Sequence, residues 1–294
     1  MKRKKFKIKA GQYGLNLGEK TLILGIVNST PDSFSQDGTW KEKERDGYRL
    51  AVKRAVRLAR DGADMIDIGG ESTRPGAAVV PVDVEQKRVV PVIKHLVDRR
   101  IDVPISIDSY KRPVIKAALD AGATIVNNIM GVKPNRSLLK MVRDYKAAIV
   151  LMHIKGTPRT MQKKVCYTDV ILDIVQSLRL SIDTCLDVGI TEDRIIIDPG
   201  IGFGKTVEHN LTIINNIDRF VKELKHPLLV GPSRKSFIGH VLNKDVSRRL
   251  TGTIASVCAS IMRGAHIVRV HDVKQIAETV RMMDSILKES VQSS

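Results

Sequence analysis

Eight short runs of β-branched and other apolar residues recur along this chain, each followed by a stretch of helical period. That alternation constrains the fold more than any other feature. The runs lie at 22–28, 65–70, 104–108, 125–129, 148–153, 195–198, 228–231 and 267–271. Most are apolar on both faces, the pattern of parallel strands covered on both sides. Between them run apolar stripes at helical spacing: Tyr48, Val52, Ala55, Val56 and Ala59; Val170, Ile171, Ile174, Val175, Leu178 and Ile182; Ile276, Val280, Met283 and Leu287. "RDGAD" at 60–64, "DAGAT" at 120–124 and "RGAHI" at 263–267 read as one repeated helix-to-strand turn, with glycine at the left-handed position just past the helix. Eight such units in 294 residues predict a closed (β/α)8 TIM barrel as a single domain. The competitor is an open doubly wound sheet, weakened because no dinucleotide fingerprint follows the first run. Residues 5–20 alternate and contain glycines, which predicts an N-terminal β-hairpin closing the bottom of the barrel. The expected division is 1–20 for the basic segment and hairpin and 21–290 for the barrel, with no linker.

Composition narrows the function classes. A hydrophobic share of 43% supports a sizeable core, and no stretch approaches the ~20 apolar residues of a membrane-spanning helix. The basic start "MKRKKFKIKA" has no apolar run behind it and does not read as a secretory signal, so the expected location is cytoplasmic. Cys166, Cys185 and Cys258 are odd in number and far apart, which suits structural thiols in a reducing compartment. The formal charge of +17 raises nucleic acid as a partner, but aromatics are 4% and the basic residues are scattered; only Lys2 to Lys5 form a run. A solvated basic surface, compatible with a small anionic substrate, is the better reading.

In a barrel of this kind the active site stands at the C-terminal ends of the strands. Here every run ends in, or leads into, a hydrogen-bonding or ionisable group: Asn28; Glu71-Ser72-Thr73-Arg74; Asp108; Asn127 and Asn128; His153; Asp198; Ser233-Arg234-Lys235; Arg269 and His271. Asp108 and Asp198 accept hydrogen bonds, Asn127 both donates and accepts, and Lys235 donates. Together they suit a flat heterocycle with adjacent N–H and N positions. Arg269 and His271, with Asn28 and Thr73, suit an anionic group such as a phosphate. "DPGIGFGKT" at 198–206 looks at first like a phosphate loop, but G-x-x-x-x-G-K-[ST] needs glycine where Pro199 stands, and G-x-G-x-x-G fails as well. The reaction type does not follow from these residues alone. The segments at 29–40 and 72–81 have the composition of mobile lids.

The blocks "LGIVNSTPDSFSQDG", "DIGGESTRPGA", "LMHIKGTPRTMQ", "DPGIGFGKTVEHNL", "VGPSRKSFIG" and "GAHIVRVHDV" resemble dihydropteroate synthase, in the expected order and over nearly the whole chain. The resemblance implies a pterin-binding (β/α)8 barrel. It implies a transferase that condenses 6-hydroxymethyl-7,8-dihydropterin diphosphate with 4-aminobenzoate, by dissociative substitution, to give 7,8-dihydropteroate and diphosphate in folate biosynthesis. It also implies Mg2+ on the diphosphate, a homodimer, and inhibition by sulfonamides. Carried over by motif, Asp108, Asn127, Met152, Asp198, Phe203, Gly231 and Lys235 hold the pterin. Asn28, Thr73, Arg269 and His271 hold the diphosphate, with Asn28 the metal ligand. Phe34, Arg74, Pro75, Ser233 and Lys235 shape the 4-aminobenzoate pocket, and Asp108, Lys235, Arg269 and His271 are the catalytic set. Ser29 and Asn128 depart from the family pattern, and "IDSYKRP" is a looser version of its block. A pterin-dependent methyltransferase domain would share the barrel but lack the "TPDSF" and "STRPGA" segments; an RNA-binding barrel would need a clustered basic face.

Overall fold

The structure, a computed structural model, describes residues 3–30, 48–72, 76–129, 135–157, 160–162 and 165–289. An antiparallel hairpin of β1 (Phe6–Ala10) and β2 (Tyr13–Leu17) comes first. Eight parallel strands follow: β3 (Leu22–Asn28), β4 (Met65–Gly69), β5 (Ile105–Asp108), β6 (Ile125–Asn128), β7 (Ala148–Met152), β8 (Ile195–Asp198), β9 (Leu229–Val230) and β10 (Ile267–Val270). Each pairs with its neighbour in chain order, and β10 pairs with β3. The remaining seam, β8 to β9, closes through a parallel bridge between Ile197 and Leu228 and a 3.0 Å bond from Ile197 N–H to Pro227 O. The barrel and its hairpin are those expected from the sequence, and the strand limits agree to within a residue at either end.

Around the strands pack α1 (Tyr48–Arg60), α2 (Val82–Asp98), α3 (Arg112–Asp120), α4 (Arg136–Asp144), α5 (Val170–Asp187), α6 (Val207–Asn215), α7 (Ile217–Leu224), α8 (Ser236–Leu242), α9 (Leu250–Met262) and α10 (Val273–Lys288). The helix-to-strand turn repeats as a paired bond. After α1, Gly62 N–H reaches Ala59 O at 3.2 Å and Ala63 N–H reaches Leu58 O at 3.0 Å. The same pair recurs at Gly122, Gly189 and Gly264, all with positive φ. It recurs without glycine at Arg100 (φ 51°) and Lys146 (φ 52°), which the glycine signal could not reveal.

Side chains alternate across each strand. One phase (Ile66, Ile68, Ile105, Ile107, Val126, Ile149, Ile197) joins the core under the helices. The other phase faces the barrel axis and divides by height. Its lower level is apolar: Leu22, Leu24, Met65, Ile125, Ala148, Val150, Ile196, Leu229 and Ile267 form one cluster with Ile8, Ala10, Leu15 and Leu17 of the hairpin. The hairpin therefore plugs the bottom. Two residues further along, the same phase turns polar on four strands, at Asp67, Asn127, Asp198 and Arg269.

The N-terminal basic run is not wholly a solvated patch, as its composition suggested. The Arg3 side chain is 6% exposed and pairs with Asp284 of α10 at 2.5 Å. Asp284 also accepts from Thr21 N–H at 2.6 Å and Thr21 Oγ1 at 2.9 Å. The reason is topological: the first hairpin strand lays the start of the chain across the entry to β3, beside the end of α10. Removing one member of a buried pair leaves an uncompensated charge. Asp284→Ala should therefore cost about 3–5 kcal/mol in urea-unfolding free energy.

Candidate active site

The upper inward level of the barrel holds a guanidinium between two carboxylates. Arg269 of β10 donates from Nε to Asp67 Oδ2 and from Nη2 to Asp108 Oδ2, both at 2.6 Å. Asn127 Nδ2 donates to the same Asp67 oxygen at 3.0 Å. Four strands, β4, β5, β6 and β10, are thus tied across the mouth. Asp67 Oδ1 and Asp108 Oδ1 are buried and have no protein partner among the described residues. Buried carboxylate oxygens are costly unless they accept a hydrogen bond, so both have capacity for a ligand donor.

Asp198 closes the other side. It ends β8, is buried, and accepts from Gly200 N–H at 2.7 Å. The turn after it needs its first glycine: Gly200 has φ 70°, and a Cβ there would lie 1.9 Å from the His153 carbonyl oxygen. This close approach, not phosphate binding, explains "DPGIGFGKT". Phe203 from the same turn joins Ile129, Met152, Ile154 and Met161 in an apolar cluster, with Tyr110 packed against it. Lys235 lies over the Phe203 ring at 4.4 Å and donates to Ile201 O.

The remaining sequence candidates fall around this core. His271 lies in phase with Arg269 just beyond β10, its Nδ1 2.9 Å from Ser233 Oγ. Gly231 follows β9 and lies against Arg269, a built Cβ coming 3.6 Å from the arginine Cβ. Asn28, half-buried, ends β3 opposite Gly69. Arg269 was expected among the anion-binding groups; its fork also meets Asp67 and Asp108, because β10 places it level with the inner residues of β4 and β5. Phe34, Thr73, Arg74 and Pro75 lie outside the described residues.

Three groups were not singled out from the sequence. Asp67 is wholly buried in the middle of β4 and so was invisible to a search of strand ends, although a carboxylate within "MIDIG" was the available signal. Lys205 is buried behind the Gly200 turn. Lys111 anchors the base of the segment after β4: its Nζ reaches Glu71 at 2.5 Å, Glu85 at 2.7 Å and Val80 O at 2.5 Å. Tyr110 adds a 2.8 Å bond to Glu71.

The electrostatics follow from burying these groups together. Burial pushes Asp108 up to about 7; Arg269 opposes the shift, and Asp67 and Glu85 reinforce it. Asp198 is raised by burial, against Lys235, the Gly200 N–H and Arg269. Burial lowers Lys235 to about 7, with Asp198 opposing and Arg269 assisting. For Arg269 burial works against the charge, but the two carboxylates outweigh it and the pKa rises.

A family model, that of the pterin binding enzyme, matches residues 24–271, which include all of these groups. The chain belongs to the dihydropteroate synthase family of pterin-binding enzymes. It is 43% identical over 277 residues to the dihydropteroate synthase of Synechocystis, covering 94% of this chain and 93% of that protein. It is 43% identical over 273 residues to that of Bacillus subtilis, covering 93% and 91%. A Yersinia pestis dihydropteroate synthase solved with a sulfonamide drug superposes with a TM-score of 0.89 at 35% identity, covering 97% of this chain and 100% of that one. A Xanthomonas albilineans dihydropteroate synthase solved with 4-aminobenzoic acid gives 0.86 at 35% identity, covering 97% and 99%. As a dihydropteroate synthase family member the chain is an enzyme, a transferase of folate biosynthesis. No described helix is long and apolar enough to cross a membrane.

A lysine whose folded pKa lies near 7 binds fewer protons when folded than when unfolded between there and its ordinary value of about 10.4. Its contribution to stability therefore rises with pH across that window. Lys235→Met should be more stable than the unsubstituted protein near pH 7, and the gap in unfolding free energy should narrow towards pH 10. A gap independent of pH would contradict the buried-ammonium account.

Proposed function

We propose that the polar mouth binds the pterin ring of 6-hydroxymethyl-7,8-dihydropterin diphosphate and condenses it with 4-aminobenzoate, giving 7,8-dihydropteroate and diphosphate. The observation that carries this reading is the pair of unpartnered carboxylate oxygens on Asp67 and Asp108, facing the barrel interior near an apolar cluster that includes Met152 and Phe203. A pterin presents adjacent ring and exocyclic N–H groups along one edge of a flat aromatic face, and needs both kinds of surface. In this reading Asp108, Asn127 and Asp198 take the N–H and N positions, Lys235 donates to the ring, and Met152, Phe203 and Gly231 form its walls. Asp67 orients Asn127 and Arg269 through Oδ2 and leaves Oδ1 open to a pterin N–H.

At the other end Asn28, Thr73, Arg269 and His271 hold the diphosphate. The amide oxygen of Asn28 is a hard donor at the mouth. A single protein oxygen suits a magnesium ion held chiefly by phosphate oxygens and water, and among the described residues no cluster of three His, Cys, Asp or Glu offers a fuller cage. When bound, Mg2+ supplies charge neutralisation of the diphosphate. Phe34, Arg74, Pro75, Ser233 and Lys235 shape the 4-aminobenzoate pocket. A 4-aminobenzoate complex of the Xanthomonas relative and a sulfonamide complex of the Yersinia relative support an arylamine pocket that sulfonamides also enter.

The chemistry is a dissociative substitution. The C–O bond at the pterin methylene breaks, and its electron pair leaves with the diphosphate, stabilised by Arg269 and His271. The positive charge left on the pterin is offset by Asp108 and Asp198. The amine nitrogen of 4-aminobenzoate then forms the C–N bond and loses a proton. No protein nucleophile is required, so catalysis rests on positioning and preorganised charge. The finer assignments, a homodimer and a cytoplasmic location, follow the same reading. Exposed Leu242, Met262, Met282 and Ile286 on the successive helices α8, α9 and α10 offer apolar area for a second copy.

Mixing the protein with pterin diphosphate, 4-aminobenzoate and Mg2+ should release dihydropteroate and diphosphate. Asp198→Asn should abolish pterin binding in calorimetry, because a carboxamide cannot accept two N–H bonds through equivalent oxygens. Near-normal affinity would refute the pterin assignment. Arg269→Ala should lower kcat by roughly 10²–10³-fold, the scale of one preorganised contact, and weaken pterin-diphosphate binding more than 4-aminobenzoate binding. Equal losses for both ligands would count against its role.

A further inference from the structure

The buried Lys205 has no part in the pterin, diphosphate or arylamine contacts described above. It follows directly on the Gly200–Gly204 turn and is only 3% exposed. Its Nζ faces three acceptors: Phe203 O at 2.9 Å, His153 Nδ1 at 3.1 Å and His153 O at 3.4 Å. An ammonium has three N–H donors and no lone pair, so it donates to all three when neutral His153 presents Nδ1 as an acceptor; a neutral amine would instead require the tautomer that donates from Nδ1–H. Consistent with that, burial together with Lys205 and Lys155 pushes His153 down to about 2. Burial holds Lys205 well below the ordinary lysine range; the Asp198 carboxylate opposes that shift and Lys235 adds to it.

The geometry joins three things. The His153 carbonyl lies just past the end of β7, the Phe203 carbonyl lies within the turn, and Asp198 begins it. His153 N–H in turn donates to Asp198 O at 2.9 Å. Lysine is the residue that can reach two carbonyls and an imidazole from one flexible stem while bringing a full charge.

We propose that Lys205 is a positioning residue for the pterin end of the site: its ammonium fastens the Gly200–Gly204 turn to the end of β7 and sets a buried positive charge behind Asp198 that keeps this carboxylate ionised. The proposal rests on the reading that Asp198 holds the pterin. Asp198 is faced by Lys235 at the start of α8, by Arg269 of β10, and by Lys205 and the Gly200 N–H from its own turn. Of these, Lys235 and Arg269 also interact with Asp108. Lys205 is the cation that acts on Asp198 from beside His153. In the pterin site itself it touches nothing that reacts.

The test uses the full chain and 6-hydroxymethylpterin, a ligand without the diphosphate, so that losses at the phosphate end do not register. Lys205→Met should bind it about tenfold more weakly at pH 7. The acid limb of its binding profile should move up by about one pH unit, the scale of losing a nearby opposite charge. The KM for 4-aminobenzoate should stay within twofold, while the melting temperature falls because Asp198 and the Phe203 and His153 carbonyls each lose a buried partner. Lys205→Gln, which keeps donors for the two carbonyls without the charge, should show the same movement of the acid limb, and reads it even where Lys205→Met fails to fold. Unchanged affinity and an unmoved limb in either folded variant would overturn the proposal. So would parallel losses for pterin and 4-aminobenzoate, which is the signature of ordinary packing. Normal pterin binding by Asp198→Asn would overturn the underlying reading as well; loss of binding there with no effect at Lys205 would overturn this proposal alone.

Discussion

Charge buried inside a closed barrel is tolerable only when it is matched, and this structure is organised around that requirement. Arg269 stands between Asp67 and Asp108, and Lys235 and Lys205 stand near Asp198, so three carboxylates meet three cations within one cavity. Taking a lone charge out of water costs several kcal/mol, and a partner with good geometry offsets most of it. The match is incomplete in one useful respect. One oxygen each of Asp67 and Asp108 lacks a protein donor, and Asp108 and Lys235 are both held near neutrality's edge, about 7. A ligand that brings N–H donors completes what the protein leaves open, which is how an apolar-walled cavity can select a polar heterocycle.

The lower half of the barrel makes this possible. The hairpin and the inward residues of the strands form a dry plug, so polar groups two residues higher are reached from the mouth rather than from below. The Arg3–Asp284 pair fixes the start of the hairpin against α10. Support beneath and preorganised charge above are parts of one arrangement, because a group must be held still to keep its electrostatic advantage.

Most of the fold was legible in the sequence, and so was much of the site. Period-two and period-3.6 patterns placed strands and helices because covering both sheet faces demands them. Asp108, Asn127, Asp198, Arg269 and His271 were legible because each ends or follows an apolar run. Asp67 was not, because a buried acid within a strand reads as an interruption until its partners from β6 and β10 are seen. The positive-φ caps at Arg100 and Lys146 were hidden for a related reason: the surrounding turn imposes the conformation without the glycine that would announce it. Lys205 looked like the end of a failed phosphate-loop motif, and its acceptors lie up to 52 positions away.

By itself, the sequence determined that eight βα units would close on themselves, that an acidic and amide layer would line the mouth, and which family the motifs resemble. Those properties follow from local periodicity and from residue types at fixed offsets, which the chain carries wherever it goes. Only the tertiary structure decided which acid meets which base. Spacing along the chain does not say what Arg269 meets; barrel closure brings β10 beside β3 and level with β4 and β5, so its fork meets Asp67 and Asp108. Pairings between distant positions are set by strand register and stagger, and one-dimensional spacing does not encode them.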